Sequence, residues 1–445
     1  SNGSQATISN LAGMVSGASG GQTTFTSGSG SGNASLTNYG GSVTGAYGGL
    51  TEFLQMSSAG AAAIVNNAAT AVTATSGTTV FRDQSVAGQV QITNSGGALS
   101  GGTGGLTQFY DTSSGGLDLL AAIINNGAAV SGAQGGVTQF FDNSSGGRAT
   151  LIANGGIGGG GAIFFYDQAS GGTATVKVYG NGSVDLSGSA AGVSIGSLEG
   201  DGNVFLGSRT LSVVGNNNLN TVFSGAIMNG GQSGGFAGSL TKTDLGMLTL
   251  SGANTFTGAT TVNGGVLVAG GPGALGNTGG VTINDTATLQ LAGAGDRIND
   301  NANLVMNGGI LNTAGLSEMF GSLLLPAGAS ILDLGNGASI LHFRNSDAFL
   351  WGGQLKVYDW TGDPSGGGTD QLFFGNNITG LRSDQLAAMQ FYSDAGTTFL
   401  GTGMILSDGE VVPDISEIPE PSTAATMLIM SVGLLALRIC RRSGR

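Results

Sequence analysis

Short apolar runs recur along the first 180 residues, each ending at an aromatic side chain and followed by a polar, glycine-rich stretch. The runs align on six phenylalanines: Phe25, Phe53, Phe81, Phe109, Phe140 and Phe165. Successive members of this series are 28, 28, 28, 31 and 25 residues apart. Such runs, bounded by Gly, Ser and Asn, are typical of short β-strands. The pattern therefore predicts one strand at the phenylalanine of each repeat.

A second apolar position follows the phenylalanine by eleven residues. It is occupied by Leu36, Ile64, Ile92, Leu151 and Val176. In the fourth repeat it moves three places, to Ile123, because the segment LDLL is inserted. The first four repeats place an asparagine two residues further on, at Asn38, Asn66, Asn94 and Asn125. Each repeat thus predicts a strand, a Gly/Ser turn, a second strand and an Asn/Gly turn.

One such unit cannot bury its own apolar face, whereas stacked copies can. Stacking would place equivalent residues above one another at about 4.8 Å, phenylalanine on phenylalanine and aliphatic on aliphatic. We therefore predict an all-β protein whose main body is a right-handed parallel β-helix, or β-solenoid. Residues 1–21 would form an N-terminal cap or the start of the solenoid, and residues 22–230 its glycine-rich body.

The composition agrees with tight, repeated corners. Glycine supplies 87 of the 445 residues, and its freedom at positive φ suits turns that recur in every repeat. No three-residue glycine period is present, which excludes collagen. With 40% hydrophobic and only 9% charged residues, the chain also lacks the composition of a disordered protein.

The charge balance excludes nucleic acid as a partner. The formal net charge is −13, and four of the 13 basic residues belong to the last eight positions. The rest of the chain therefore carries nine basic side chains against 26 acidic ones. Such a surface repels DNA and RNA, which are bound through basic patches.

Few residues suit catalysis or metal binding. The single cysteine, Cys440, excludes a disulfide framework, and the single histidine, His342, excludes a two-histidine metal site within one chain. We expect a structural or surface role for His342, on a strand whose Leu341 and Phe343 face the other way. No pattern predicts a cofactor.

Aspartates recur two residues after four of the phenylalanines, at Asp83, Asp111, Asp142 and Asp167. We interpret them as turn residues at strand ends. The alternatives are a column of carboxylates that binds Ca²⁺ and a pair of catalytic carboxylates.

A further calcium candidate is Asp370, because SGGGTDQLF, from Ser365 to Phe373, nearly matches the glycine-rich calcium nonapeptide. The motif occurs once, whereas calcium-binding solenoids repeat it, so we favour a flexible loop that leads into a strand.

The middle of the chain contains SLTKTDLGMLTLSGANTFTGATTVNGGVLVAG, beginning at Ser239. This run closely resembles the autotransporter-associated β-strand repeat, with Asp244 where glycine is usual and Met247 where threonine is usual. The resemblance implies a secreted β-helical stalk and no particular chemistry. We assign residues 231–325 to this repeat region. Residues 326–415, which hold both tryptophans, resemble the segment that often precedes a sorting tail and would form a C-terminal β cap.

The tail, residues 416–445, combines three signals. Pro419, Glu420 and Pro421 form a rigid, extended triplet. An uncharged run from Thr423 to Leu437 predicts a short transmembrane helix. Basic residues follow that would remain cytoplasmic, at Arg438, Arg441, Arg442 and Arg445.

This order closely resembles the PEP-CTERM sorting signal of Gram-negative bacteria. The resemblance implies that an exosortase recognises the tail at the inner membrane and removes the helix. A plain tail anchor is the alternative, and export would require a signal peptide upstream of Ser1.

These observations lead to a functional hypothesis. We expect a non-enzymatic protein of the cell surface or extracellular matrix, held in the inner membrane before processing. It would be structural or adhesive, in the envelope, a biofilm or an exopolysaccharide matrix, with polysaccharide as a possible partner. The alternative is a polysaccharide-active β-helix enzyme, a lyase or hydrolase, which would need a groove lined by carboxylates and an arginine.

Overall fold

The computed structural model describes residues 5–215 and 220–417, and these residues form a nearly all-β solenoid of about 14 turns. We call each turn a rung and number the strands along the chain. Strands from successive rungs stack into four sheets that run along the solenoid. The predicted parallel β-helix is confirmed.

Sheet I runs the whole length of the described solenoid and contains β1 (Thr7–Asn10), β3 (Ser35–Asn38), β5 (Ala63–Asn66), β7 (Gln91–Asn94), β9 (Ala122–Asn125), β11 (Thr150–Ala153), β13 (Thr175–Val178), β16 (Ser197–Gly200), β19 (Thr221–Phe223), β22 (Met247–Leu250), β24 (Gly265–Ala269), β26 (Ala287–Leu291), β28 (Ile310–Asn312), β31 (Ala329–Asp333), β33 (Gln354–Tyr358), β35 (Met389–Tyr392), β36 (Phe399–Ile405) and β37 (Val411–Asp414). Sheet II lies in the N-terminal half and contains β2 (Gln22–Phe25), β4 (Leu50–Phe53), β6 (Thr78–Phe81), β8 (Leu106–Phe109), β10 (Val137–Phe140), β12 (Ala162–Phe165), β14 (Ser183–Asp185), β17 (Asn203–Phe205) and β20 (Ala226–Met228).

Two shorter sheets begin further along the chain, at Val193 and at Glu318. Sheet III contains β15 (Val193–Ile195), β18 (Thr210–Val213), β21 (Ser239–Lys242), β23 (Ala259–Val262), β25 (Gly280–Asn284), β27 (Asn303–Asn307) and β30 (Leu323–Leu324). Sheet IV contains β29 (Glu318–Phe320), β32 (Ile340–Phe343) and β34 (Gln371–Phe374). The strands of sheets II to IV pair in parallel with the strand of the neighbouring rung, as do those of sheet I as far as β35.

The six aligned phenylalanines form one stacked column in the core. The parallel register pairs Phe25 with Phe53 and continues one phenylalanine per rung to Phe165. Their ring centroids are 4.6–5.0 Å apart and their planes differ by 4–11°. Apart from Phe25 at the first rung, these rings are fully buried. The spacing of the rungs thus sets the spacing of the rings, as the repeat predicts.

The aliphatic positions form a second column that faces the first across the core. Ile92 pairs with Ile123 although 31 residues separate them, and Ile123 pairs with Leu151. The inserted LDLL segment is accommodated in the turn, where Leu117 and Leu120 are exposed. The insertion therefore lengthens one corner and leaves the register of the strands unchanged.

A hydrogen-bonded ladder of asparagine and threonine side chains closes one edge of this core. The Nδ2 atom of Asn38 donates to Oδ1 of Asn66 at 2.8 Å, and Asn66 donates to Asn94 in the same way. Each Oδ1 also accepts a hydrogen bond from the hydroxyl of a buried threonine, as Asn66 does from Thr79 at 2.9 Å. The polar atoms of these buried amides are thereby satisfied from rung to rung, as burial requires.

Glycine is required where two corners approach each other. A Cβ atom at Gly105 would overlap the carbonyl oxygen of Asn66 on the preceding rung. Gly77 and Gly136 meet Asn38 and Asn94 in the same way, so the close contact recurs with the repeat. The glycine content therefore reflects a repeated steric requirement at this corner.

The C-terminal end departs from the parallel pattern only after β35. Strands β36 and β37 pair antiparallel on the edge of sheet I, next to the short helix α1 (Ser383–Ala387). A 3₁₀ turn, Ile415–Glu417, follows β37. The predicted cap region, residues 326–415, thus holds five more parallel strands before this antiparallel ending, and β1 lies within residues 1–21. No helix of residues 5–215 and 220–417 is long and apolar enough to cross a membrane.

Candidate functional site

The aspartates that follow the phenylalanine column lie at the corners where strands of sheet II end. Asp83, Asp111, Asp142 and Asp167 adopt left-handed backbone conformations, with φ between 51° and 57°. The Oδ2 atom of each accepts a backbone N–H from the preceding rung, as Asp83 does from Gln55 at 2.7 Å. Aspartate tolerates this conformation, and its carboxylate here joins consecutive corners. This geometry supports the turn interpretation of the four residues.

Asp370 is not on an exposed, flexible loop. Its side chain is fully buried, and its Oδ1 atom accepts the backbone N–H of Ser339 at 3.0 Å. Its Oδ2 atom accepts both the backbone N–H and the hydroxyl of Thr361, at 2.8 and 2.7 Å. Both oxygens of Asp370 are thus engaged in holding the last rungs together.

Three carboxylates come together at a cleft of about 460 Å³ in the C-terminal half. Asp296 and Asp300 lie in the turn between β26 and β27, and Glu318 begins β29. One oxygen atom from each lies within 4.8 Å of the other two. His342, on β32, also lines the cleft. The fold therefore unites acidic residues that belong to two successive rungs.

Arg297 is buried next to these carboxylates. Its Nη1 atom is 3.3 Å from Oε2 of Glu318, and its remaining N–H groups donate to the backbone carbonyls of Ala292, Gly293 and Ser317. Burial raises the pKa of Glu318 to about 7; Arg297 opposes this shift and the adjacent Asp296 carboxyl reinforces it. The cleft thus pairs a carboxyl group whose protonated form is favoured by burial with a guanidinium already committed to the scaffold.

His342 faces outward from β32, as its position between Leu341 and Phe343 predicts. The two neighbours are buried in the core, whereas the imidazole stacks on Phe373 with ring centroids 4.5 Å apart and planes 4° apart. Burial lowers the pKa of His342, which favours the neutral ring at neutral pH.

The sequence reasoning did not find the cluster of Asp296, Asp300 and Glu318. The sequence feature that points to this cluster is the shorter rung in this part of the chain, where β25 pairs with β27 at an offset of 23 residues. An offset of that size aligns the turn containing Asp296 with the start of β29. Acidic residues one rung apart lie together however far apart they are in the sequence.

The titration of Glu318 gives a testable pH dependence. Because its folded-state pKa is raised above the unfolded value, protonation favours the fold. The stabilisation that this protonation gives the fold is fully present below about pH 4.5 and is lost as the pH rises through about 7. The free energy of unfolding falls by at most about 3 kcal/mol over this range. Urea denaturation at pH 4.5 and pH 7.5 should therefore show a smaller loss of stability in Glu318→Gln than in the wild type. Glu52→Gln is the matched control. If Glu318→Gln loses as much stability as the wild type between the two pH values, Arg297 keeps Glu318 ionised in the folded protein.

A second buried ion pair lies within the repeat region. Lys242 is fully buried, and its Nζ atom donates to Oδ1 of Asp244 at 2.8 Å and to the carbonyl oxygens of Asp244 and Gly264. The other oxygen of Asp244 accepts the N–H of Gly246 at 3.0 Å. Asp244, which departs from the usual glycine of the repeat, is therefore the counter-ion of Lys242.

The predicted sorting residues Pro419, Glu420 and Pro421 lie outside the described residues. The same holds for the predicted transmembrane helix and for the basic residues that follow it, Arg438, Arg441, Arg442 and Arg445. Their assignment rests on comparison with known families.

Two families match parts of the chain. Residues 240–269 match the passenger-associated-transport-repeat, and residues 417–443 match the PEP-CTERM protein-sorting motif. The chain carries a PEP-CTERM sorting signal. The two matches lie within the run that begins at Ser239 and across the tail, as both resemblances predict. No curated protein and no solved structure matches the chain.

The PEP-CTERM signal implies processing by an exosortase and export to the cell surface or the extracellular space of a Gram-negative bacterium. The passenger-associated repeat spans two rungs of the solenoid, from β21 to β24. Its Asn254 is buried and bonds to both neighbouring rungs, accepting the N–H of Ile227 and donating to the carbonyl of Ala274, each at 2.7 Å. Within the solenoid this repeat thus serves the continuity of the fold.

Proposed function

We propose that this protein is a non-enzymatic, structural or adhesive component of the bacterial surface that binds extracellular polysaccharide. The supporting observation is a groove of about 570 Å³ that crosses successive rungs of the N-terminal half. Its lining includes Thr78, Leu106, Gln108, Val137 and Gln139. Amide and hydroxyl groups donate and accept hydrogen bonds, and apolar side chains between them suit the C–H faces of sugar rings.

The repetition of the rungs suits a polymer. Gln108 and Gln139 occupy equivalent positions on β8 and β10, and Nε2 of Gln108 donates to Oε1 of Gln139 at 2.9 Å. These two amides thus lie one above the other at the spacing of the strands, about 4.8 Å. A repeating ligand can make several weak contacts at once with such a surface, which raises its overall affinity.

The charge of the protein points to the class of polysaccharide. The chain has 26 acidic and 13 basic side chains, so a polyanionic polymer would meet net repulsion. The groove lining named above carries no charged side chain. We therefore propose neutral polysaccharides as the preferred ligands.

Co-sedimentation of purified protein with insoluble polysaccharides of known charge tests this proposal. We expect retention on neutral polymers, little retention on uronic-acid polymers, and no release of reducing or unsaturated ends. The double variant Gln108→Ala/Gln139→Ala should weaken retention at least about tenfold, the loss of roughly 1.4 kcal/mol of polar contacts.

Gln91→Ala is the matched control, because Gln91 is exposed on β7 of sheet I, outside the groove. Equal retention of the double variant and this control would contradict the groove as the binding surface. Retention of polyanions only would contradict the proposed class of ligand.

The carboxylate cleft favours a second candidate function, a polysaccharide hydrolase or lyase. A carboxylic acid with a pKa near 7 at Glu318 could protonate a glycosidic oxygen, and the exposed Asp296 could act as the base. Arg297 is buried and already bonded to Glu318 and to backbone carbonyls, so its guanidinium cannot bind a substrate. This argues against an enzyme at this cleft. Polymer fragments released by the wild type and lost in Glu318→Gln would establish the enzyme and overturn the non-enzymatic proposal.

A further inference from the structure

A second cleft of about 460 Å³ lies at the C-terminal end of the solenoid, and Glu410 is its most unusual residue. The cleft is bounded by the glycine-rich loop Ser365–Gly367, by β34 and by the turn from Leu406 to Glu410 that joins β36 to β37. This loop opens the motif that suggested calcium binding at Asp370. Both carboxylate oxygens of Asp370 are buried and already accept hydrogen bonds. A cation bound at this loop would therefore need a different carboxylate as its ligand.

Glu410 is that carboxylate. Only 2% of its surface is exposed, and its Oε2 atom accepts the N–H of Gly367 at 2.7 Å. Its Oε1 atom is buried and has no hydrogen-bond partner within residues 5–215 and 220–417. Leaving a carboxylate oxygen buried without a partner is costly, more so than for a neutral group. A proton, a water molecule or a cation at this oxygen would remove that cost.

The surroundings of Glu410 are acidic. Burial raises the pKa of Glu410, the hydrogen bond from Gly367 opposes this shift, and the charges of Asp408 and Asp363 add to it. None of the ion pairs formed in the described part of the chain includes any of these three carboxylates. Asp408 also lines the cleft, together with the hydroxyl-bearing Ser365 and Ser407. The cleft thus offers several oxygen atoms and a local excess of negative charge.

We propose that this cleft binds one divalent cation of the calcium type, with Glu410 as its principal ligand and Asp408 as a second. Carboxylate, hydroxyl and backbone carbonyl oxygens are the ligands that Ca²⁺ prefers, and it accepts an irregular arrangement of them. Such an ion would join the β36–β37 hairpin to the loop before β34, which closes the last rungs. Sites of this open kind bind calcium at about 0.1–1 mM, the range found outside cells, so the end of the solenoid would become more stable after export.

Thermal unfolding of the full chain with EDTA and with about 1 mM calcium tests the site. We expect calcium to raise the melting temperature by about 1 °C, a small shift because 1 mM calcium exceeds the expected Kd by at most about tenfold and the chain is large. Glu410→Gln keeps the shape of the side chain and removes its charge, so it should fold in EDTA and should not respond to calcium. Terbium supplies a direct probe, because Trp360 packs against Gly362 and could sensitise emission from an ion in the neighbouring cleft. We expect that emission in the wild type and its loss in Glu410→Gln.

Two variants separate this site from the other acidic groups. Asp300→Asn alters the carboxylate cluster at β27, and Asp111→Asn alters the aspartate column. Both should retain the calcium-dependent shift. A wild type that does not respond to calcium would overturn the proposal. A shift that persists in Glu410→Gln, or that disappears in Asp300→Asn, would overturn it by locating the ion elsewhere.

Discussion

Phe109→Asp should destabilise the solenoid by more than about 5 kcal/mol. Phe109 is fully buried and lies between Phe81 and Phe140, with ring centroids 4.6 and 4.8 Å away. Removing the ring alone costs about 3–5 kcal/mol, and a carboxylate buried among stacked rings adds a desolvation penalty. Because each rung contacts only its neighbours, we expect the loss to disrupt several rungs around position 109. Guanidinium denaturation followed by circular dichroism measures the effect.

Gln108→Asp is the matched control for this substitution. Gln108 precedes Phe109 on β8, faces outward and is half-buried. Its replacement removes the hydrogen bond to Gln139 and should cost no more than about 1 kcal/mol. Similar losses in the two variants would mean that the inward and outward faces of the strand are wrongly assigned.

Asp244→Asn should cost about 3 kcal/mol through its effect on a buried lysine. Lys242 has no exposed surface, and burial lowers its pKa while Asp244 opposes that shift. Removing the counter-ion leaves an uncompensated charge in the core, which is the costly way to break a buried ion pair. An asparagine can also replace only one of the two hydrogen bonds that Asp244 accepts, from Lys242 and from Gly246. Urea denaturation of the purified protein checks the value.

A double-mutant cycle isolates the interaction. Lys242→Met alone leaves the buried carboxylate of Asp244 unpaired, whereas Lys242→Met/Asp244→Asn removes both charges. The double variant should therefore be about 2 kcal/mol more stable than the sum of the two single effects predicts. The half-exposed pair of Lys177 and Glu199, 3.0 Å apart, provides the comparison. Glu199→Gln should cost less than about 1 kcal/mol. Additive effects at Lys242 and Asp244 would contradict a coupled pair.

Much of the fold is predictable from the sequence, because the N-terminal rungs repeat with nearly constant length. Aligning Phe25 with Phe53 and its successors predicts the register of sheet II, and the shifted Ile123 predicts where the insertion lies. These predictions succeed because a parallel stack places equivalent residues together, so that sequence period and spatial neighbourhood coincide.

The polar ladders and the clefts could not be predicted in the same way. Thr79 bonds to Asn66 across a corner whose geometry depends on the backbone, and a repeated threonine has no distinctive pattern of its own. In the C-terminal half the rungs vary in length, so the alignment that joins Asp296 to Glu318 is hidden. The calcium motif directed attention to Asp370, which the fold buries, whereas Glu410 reaches the same loop from 43 residues away.

Intact-mass analysis of surface-released protein tests whether an exosortase releases the exported solenoid from its membrane tail. In a host with an exosortase, we expect released wild-type protein to lack Met427 to Arg445. Glu420→Ala/Pro421→Ala should leave the solenoid folded, since no described strand contains either residue, and should keep the chain uncleaved in the inner membrane. Released wild-type protein that still carries Met427 to Arg445 would contradict processing and leave a plain membrane anchor.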